Sequence, residues 1–535
     1  MTVARHVTND VGSSLPEDYR LALEASHRGE LRAIEGLNTA LETCLMRGDD
    51  RGAALASAAL LLSGQVMGNY RRFPEHIARL AIVRDPGIAW PDRGQELVAL
   101  AGLLAGLIYF GSADPFLATC VERIMGLLEL DLDVNVRFAA GRLVLFYTEP
   151  RELRALGQRT YSLLRPSMER SDLSPHRLGH WLIFWSRCAQ HSMEPQQAEL
   201  ARRQARELAE KLQLRDVLVR LAFMDVEHRL MERKVALAEQ ALAAAESLMD
   251  PGIIGEMPRL LFMRTKLALL KGNGDGAVFH ASRGTQYSIE LEHPPPMRAV
   301  YIVNEAQARL FNSEFAAACA LLLKATELVP ANYVDEIRDM ITLVNAYEAM
   351  TGRRSNGHML MANAWAGMRE RQFYDTFEGY PEFCAKLCVL ALEHGIETEF
   401  VRRLIELRGI PPPANAPEAW PWPIRVYALG GFKVYLRGDE LAFAGKAQKK
   451  PMELLKVLVA LGGRAIAKEK LYDVLWADAD SAAAAAALDV VVSRLRKLLG
   501  DADAIRIDEG KVGLDAERVW LDVWAFDQDV EALQG

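Results

Sequence analysis

RLFNSEFAAACALLLKATELVP, Arg309–Pro330, decides the fold of most of this chain. One helix closes at Leu310, and a polar break follows at Asn312. A second apolar helix opens with Phe315, Ala317 and Ala318, and Pro330, which cannot continue a helix, ends the unit. The same break recurs at Glu232, Gly272, Asn312 and Gly352, 40 residues apart each time, and Ser192 continues the series backwards. Gly68, Gly111 and Glu149 are earlier candidates, at intervals of 43, 38 and 43 residues. Between breaks, apolar residues recur at i, i+3 and i+4, and alternating β-branched runs are nearly absent from Pro16 to Ile410. A pair of such helices leaves an apolar stripe uncovered, so neighbouring pairs must stack into a superhelix.

Composition agrees with a large, multi-domain globular chain. Its 535 residues are 50% apolar and carry a formal net charge of −8. That acidity excludes a protein that coats nucleic acid through bulk charge, but not a single small basic patch. Six scattered cysteines make no disulfide framework and point to a reducing compartment. Cys384 and Cys388, at helical spacing, read as core thiols. Residues 1–15 lack an apolar core and read as a flexible N-terminus, not a signal peptide. Leu97–Ala113 runs uncharged and holds Gly102-x-x-x-Gly106, a spacing shared with membrane helix pairs. It is shorter than a span requires and lacks flanking charge asymmetry, so a buried repeat helix is expected and no membrane partner.

Gly409–Pro423, GIPPPANAPEAWPWP, breaks the pattern with six prolines. It predicts a linker over 411–423 that is extended and semi-rigid, with Trp420 and Trp422 docked on a neighbouring surface. Residues 16–410 then form the repeat region and 424–535 a separate domain. From Ile424 the pattern turns to short strands with turn signals at Gly430–Gly431 and Gly438–Asp439. Three helical segments follow, Pro451–Leu461, Lys468–Trp476 and Ala483–Leu499, and AIRIDEGKVGLD predicts a hairpin turning at Glu509–Gly510. Strands, three helices and a terminal hairpin make a winged helix-turn-helix. The fold class expected is mainly α: an α-solenoid of helical-hairpin repeats followed by a small α+β winged helix-turn-helix.

The third helix carries the chemistry. Leu488, Val491, Val492, Leu495, Leu498 and Leu499 share an apolar face; Asp489, Val490, Ser493, Arg494, Arg496 and Lys497 share the opposite one. Guanidinium forks read guanine edges or hold phosphate, serine and lysine add contacts, and Val490 suits a thymine methyl.

LGGFKVYLRGDEL, KAQKKPMELLKVLVALGGRAIAKEKLYDVLW, ALDVVVSRLRKLLG and IRIDEGKVGLD resemble, in order, the winged helix of OmpR/PhoB-type regulators, in the variant of bacterial antibiotic-regulatory-protein activators. The repeat unit resembles a degenerate tetratricopeptide repeat, and the architecture the sensor region of MalT-like regulators. VWLDVWAFDQDVEAL resembles the start of the helical domain that follows the winged helix in the activators. The resemblance implies that Ser493, Arg494, Arg496 and Lys497 enter the major groove of double-stranded promoter DNA. It assigns Arg506 and Lys511 to the wing and Lys446, Lys449 and Lys450 to backbone contacts. It gives the Ala477–Ala487 loop to RNA polymerase. Asp508 and Glu509 depart from the family by placing negative charge in the wing. From Ile424 onward 16 Lys and Arg face 18 Asp and Glu, so sequence-blind affinity should be modest and salt-sensitive.

There is no G-x-x-x-x-G-K-[ST], G-x-S-x-G or HExxH, and no metal-spaced histidine cluster was evident; GNGDG at Gly272–Gly276 reads as an inter-repeat turn. The expectation is a non-enzymatic, cytoplasmic bacterial transcriptional regulator without cofactor or metal. Its repeats sense an effector protein or small ligand, and homo-oligomers suit tandem DNA sites. Two alternatives stay open: an interaction scaffold whose winged helix docks on protein, and a receptor for a nucleotide second messenger, with Arg71 and Arg72 as phosphate contacts.

Overall fold

The structure is a computed structural model describing residues 17–534 except 31, 86, 112–113, 149–152, 192–193, 251–253, 378, 443–447 and 479. Residues 1–15, Glu149, Ser192 and Lys446 therefore lie outside the described residues. Among the described residues, twenty α-helices run between Glu17 and Arg408, and a small α+β region follows. The chain divides into two compact units, the first ending at Ile337 and the second beginning at Arg338.

In the first unit the helices alternate between two packing roles. Asp50–Met67, Arg93–Phe110, Val134–Thr148 and Pro175–His191 pack successively on one another as inner helices. Arg93–Phe110 is buried from Glu96 to Leu107 without interruption. The second helices bury only a narrow stripe of small residues. In Pro195–Leu212 it is Ala198, Ala201, Ala205 and Ala209; in Gly274–Glu290 it is Ala277, Ala281, Gly284 and Ser288, with Gly274 at the first turn. Small side chains at this spacing let an outer helix lie close to its inner partner while its polar face meets solvent.

The 40-residue period survives as a backbone motif. Inner helices Arg215–Met231, Met257–Leu270, Pro295–Phe311 and Ala331–Thr351 end at the breaks read from the sequence. Just beyond each, one residue takes the left-handed conformation: Arg233 (φ 59°), Gly272 (72°), Ser313 (60°) and Arg353 (55°). Its N–H reaches back three residues, and the next N–H reaches back five, as in Lys234 to Arg229 O (3.1 Å) and Glu314 to Arg309 O (2.9 Å). This double closure reverses the chain tightly while satisfying terminal carbonyls.

The long apolar helix Arg93–Phe110 is long and apolar enough to cross a membrane, yet two thirds of it (67%) is buried inside the fold. Its Gly102 lies so close to Asp50–Met67 that a Cβ there would sit 2.4 Å from Ala58 Cα, and one on Gly106 would sit 2.4 Å from Ile77 Cγ1. The small-residue spacing thus serves helix packing inside this unit.

The second unit opens within Ala331–Thr351 and continues through Gly357–Arg371, Pro381–Glu393 and Thr398–Arg408. The Pro-rich stretch contains turns where an extended chain was expected, and its tryptophans are docked as expected. Ile410, Ala416, Trp420 and Trp422 are buried; Trp422 Nε1 donates to Pro417 O (2.9 Å), and Gln528 Nε2 donates to Ala414 O (2.8 Å). Two large indoles gain more by burial than an open spacer permits, so the stretch is a strap on the winged domain and not a separating arm.

In that domain β1 (Ile424–Tyr427), β2 (Lys433–Leu436), β3 (Asp439–Glu440) and β7 (Val519–Leu521) form one sheet in the order β3-β2-β1-β7, with β7 parallel to β1. β4 (Ile466–Ala467), β5 (Ile505–Asp508) and β6 (Lys511–Leu514) form the second, ordered β4-β6-β5. Helices Lys449–Ala460, Lys468–Leu475 and Ser481–Leu499 share its core through Leu454, Leu458, Leu471, Leu488 and Leu495. The C-terminal segment that resembled the opening of another domain completes this one. β7 extends the first sheet, Asp522 accepts from Ala428 N and Leu429 N (both 2.8 Å), and Trp524 Nε1 donates to Gly462 O (2.9 Å).

Two predictions follow from this packing. Gly102→Ala should cost about 1–3 kcal/mol by overpacking against Ala58, read as a lower thermal midpoint of the full chain. The second concerns acid. His76 and His293 are buried and held down to about 4, His76 by burial and then by Arg79 and Arg72, His293 by burial. Below about pH 6.5 the unfolded chain takes up protons that these rings refuse until about pH 4. Stability should therefore be level above neutrality and fall from pH 6.5 to 4.5, where carboxylates are still mostly ionised. Urea midpoints across that range measure it; His76→Gln should flatten the slope.

Candidate nucleic-acid interface

Helix Ser481–Leu499 starts two residues before the sequence pattern placed it. Asp480 caps it, accepting from Ala483 N (2.8 Å), and six consecutive alanines extend it. The Ala477–Ala487 stretch read as a loop is therefore helical from Ser481 onward, and only 477–480 remain between helices, with 479 outside the described residues. Gly500, left-handed at φ 68°, ends the helix.

Leu488, Val491, Val492, Leu495 and Leu499 are buried as the pattern predicted, with Leu498 partly covered. Asp489, Val490, Ser493, Arg494 and Lys497 are exposed. At about 100° per residue, Val490, Ser493, Arg494 and Lys497 fall within one stripe, and Ala483 and Ala486 continue it toward the N-terminus. Arg496 lies about 100° round the helix from this stripe. Its Nε and Nη2 both donate to Ile505 O, at 3.2 and 2.6 Å, so its guanidinium is committed to the base of the wing. Its guanidinium is thereby drawn away from the stripe that holds Arg494 and Lys497, with which the sequence grouped it.

The wing holds less free charge than its sequence suggests. Arg506 Nε donates to the buried Asp515 carboxylate (2.6 Å), which pushes the Arg506 pKa up. Lys511 is exposed and stands directly opposite Asp508 in the β5–β6 register. Such a cross-strand pair of opposite charges offsets much of the field at the tip. The turn is Glu509 (φ 42°) and Gly510 (φ 78°), so the tip itself is acidic and one of its side chains sits in a conformation that favours glycine.

Ahead of the first helix, Lys450 pairs with Glu453 (3.0 Å), points toward Leu475 O (3.4 Å) and lies 5.7 Å from the Trp476 ring centroid. Lys449 is exposed beside it. Among the described residues, Arg494, Lys497 and Lys449 are the assigned cations that have no ion pair, no hydrogen bond to a carbonyl and no acid opposite them across a strand pair.

One cluster in the first unit escaped the sequence reading, which found no metal-spaced histidines. His176 and His180, one turn apart in HRLGH, meet Asp216 so that donor atoms from all three lie within 4.8 Å of one another. Both Nε2 atoms hydrogen-bond Asp216 Oδ2, that of His180 at 2.6 Å. Burial opposes ionisation of Asp216, but the two imidazoles hold it well below the usual carboxylate range. The i,i+4 histidine spacing was the available signal; the carboxylate comes 36 residues later, from the next inner helix. Arg220 adds positive charge near His180, so the set works as a hydrogen-bonded clamp between Pro175–His191 and Arg215–Met231.

Because Glu509 is strained and carries charge at an exposed tip, Glu509→Gly should stabilise the winged domain by about 1 kcal/mol. Guanidinium unfolding followed by tryptophan fluorescence measures this, and a lower midpoint would contradict the turn geometry.

No curated protein matches the chain. Residues 445–511 match the family described as "Transcriptional regulatory protein, C terminal", spanning all three helices, β4, β5 and the start of β6. The three helices, the two-strand wing and the exposed stripe of Ser493, Arg494 and Lys497 lie in or beside the matched residues. Residues 445–511 are thus a DNA-binding domain of the OmpR/PhoB type, and the chain carries the DNA-binding domain of a transcriptional regulator.

Proposed function

We propose that the chain is a sequence-specific regulator that reads promoter DNA with helix Ser481–Leu499. The observation that carries this reading is the single exposed stripe Val490, Ser493, Arg494 and Lys497 on the third helix of a domain matched to that family. Arg494 reads a base edge, preferentially guanine, and Ser493 and Val490 complete the direct contacts. Lys497 and Lys449 hold phosphates and set the register. The helical hairpins act as the sensing part, and the short segment 477–480 meets RNA polymerase. Two copies occupying tandem sites would compensate for the few free cations of each domain. This activity belongs in the bacterial cytoplasm and requires no catalysis by the chain.

Fragments recovered by binding a genomic library to the full chain give the site; fluorescence anisotropy at several salt concentrations then tests the contacts. Arg494→Ala should weaken the specific site by about 1–3 kcal/mol and relax one base position. Lys497→Ala should weaken all sequences alike and lower the salt slope by about 1. Arg496→Ala should instead lower the unfolding midpoint, with affinity of the folded protein changed less than by Arg494→Ala. Unaltered binding of every fragment by Arg494→Ala would refute readout by this helix.

A further inference from the structure

The stacked inner helices of the first unit surround a cavity of about 380 Å³. Its wall draws on residues from Gln65 to Tyr301, so most of the inner helices contribute. Much of the lining is aromatic, including Tyr109, Phe146, Phe184 and Phe262. Across the cavity, two sequence-distant stretches touch. Arg220 Nη2 donates to Val66 O (2.5 Å), Arg71 Nη2 donates to Glu290 O (3.3 Å), and the Tyr70 and His293 rings meet edge to face at 5.3 Å.

Three side chains at this cavity have polar atoms with no protein partner. His293 is 4% exposed and neither ring nitrogen has a hydrogen bond. Gln65, 5% exposed, gives its amide to Tyr109 Oη (3.4 Å), but its Oε1 accepts nothing. Both line the cavity. Behind the wall, Arg142 is 3% exposed and lies 5.2 Å over the centroid of the lining Phe184 ring; its Nε and Nη2 are unbonded.

The charges around the cavity do not cancel. In the wall, Arg220 stands 3.9 Å from Glu256, and Arg259 is paired with Glu227 (3.2 Å). Arg142 has the cations Arg177 and Arg220 as its charged neighbours. Burial first, and those two cations next, lower its pKa to about 9, which still leaves it charged at neutral pH. A buried cation without a counter-charge is costly, and among the described residues no carboxylate is paired with Arg142. An apolar, ring-sized hollow with a few convergent polar groups is the usual form of a small-molecule site.

We propose that this cavity binds a small organic anion: a planar apolar body among Phe146, Phe184 and Phe262, its charge balancing Arg220 and Arg142, and hydrogen bonds to His293 and Gln65. The inference rests on the reading of the helical hairpins as the sensing part and names its ligand class. It also gives the ligand a mechanical consequence. By filling the space between the Gln65–Tyr70 and His293–Tyr301 stretches, it would tie early and late hairpins together and stiffen the superhelix.

The test uses the full chain with four probes: salicylate and AMP, which join a ring to an anionic group, phenol, a ring without the charge, and inorganic phosphate, a charge without the ring. Calorimetric titration and thermal shift should show salicylate or AMP binding at least tenfold more tightly than phenol and phosphate, and which of the two binds identifies the anionic group. Arg142→Met should raise the ligand-free midpoint, because an unpaired buried charge is removed, and weaken the preferred probe at least tenfold. Should that variant fail to fold, Arg220→Gln must give the same loss. The inference is overturned if neither salicylate nor AMP binds at millimolar concentration, if phenol binds as well as salicylate and AMP, or if the arginine variant binds like the parent. Promoter binding by the parent chain is measured in the same samples. Its absence would count against the regulator reading while a probe result stood, and intact promoter binding with no probe bound would count against the cavity alone.

Discussion

A hairpin of two helices cannot cover its own apolar surface, and the first unit is organised by that constraint. Its inner helices are the extreme case: Asp50–Met67 is buried from Gly52 to Gln65, leaving no face for water. They fold only as a stack, each covered by its neighbours and by one outer helix. The outer helices, with alanine stripes such as Ala198, Ala201, Ala205 and Ala209, lie close and leave the bulk of the core volume to the inner layer. Curvature follows from this asymmetry. Large inner side chains on one side and small contacts on the other bend the stack, until Val66 and Arg220 share a hydrogen bond across 154 residues of sequence. The cavity is the space that this bending encloses.

What was readable in the sequence followed from periodicity. The 40-residue spacing of Glu232, Gly272, Asn312 and Gly352 located the inner-helix ends, because a break in apolar rhythm is a local property. The turn chemistry behind it was hidden. Arg233, Ser313 and Arg353 occupy left-handed positions where a glycine would have announced the motif. In the Pro-rich stretch the docking of Trp420 and Trp422 was readable, because large indoles seldom stay free, whereas the turns and the contacts to Gln528 and Tyr427 were not, because their partners are distant in sequence. The cavity was not readable at all. Gln65, Arg142, Arg220 and His293 are far apart in sequence and become neighbours only when the stack closes on itself.

Helix Ser481–Leu499 shows both the reach and the limit of reading a face from spacing. Assigning residues to the apolar or polar side succeeded for Leu488, Val491, Val492 and Leu495, since burial depends on the core beneath them. On the polar side it grouped Arg496 with Arg494 and Lys497. The polar side spans most of a turn, and its edge is governed by what stands beside the helix. There the first strand of the wing offers a carbonyl, and Arg496 takes it.

That competition for cations explains how a domain with more acids than bases can present a positive face. Arg496 satisfies Ile505, Arg506 neutralises the buried Asp515, and Lys450 balances Glu453. Each of these charges serves folding and contributes little to the outer field. Arg494 and Lys497 remain on one exposed stripe, and Asp489, seven residues before Arg496, lies off it on Arg496's side of the helix. Net charge counts all of these groups equally, whereas a DNA phosphate within a Debye length meets only those left unpaired. With so few of them, charge-driven attraction is weak, and on the proposed reading the contrast between sites comes from the fit of the stripe to base edges. A low positive charge placed on a single helix face therefore favours discrimination over affinity.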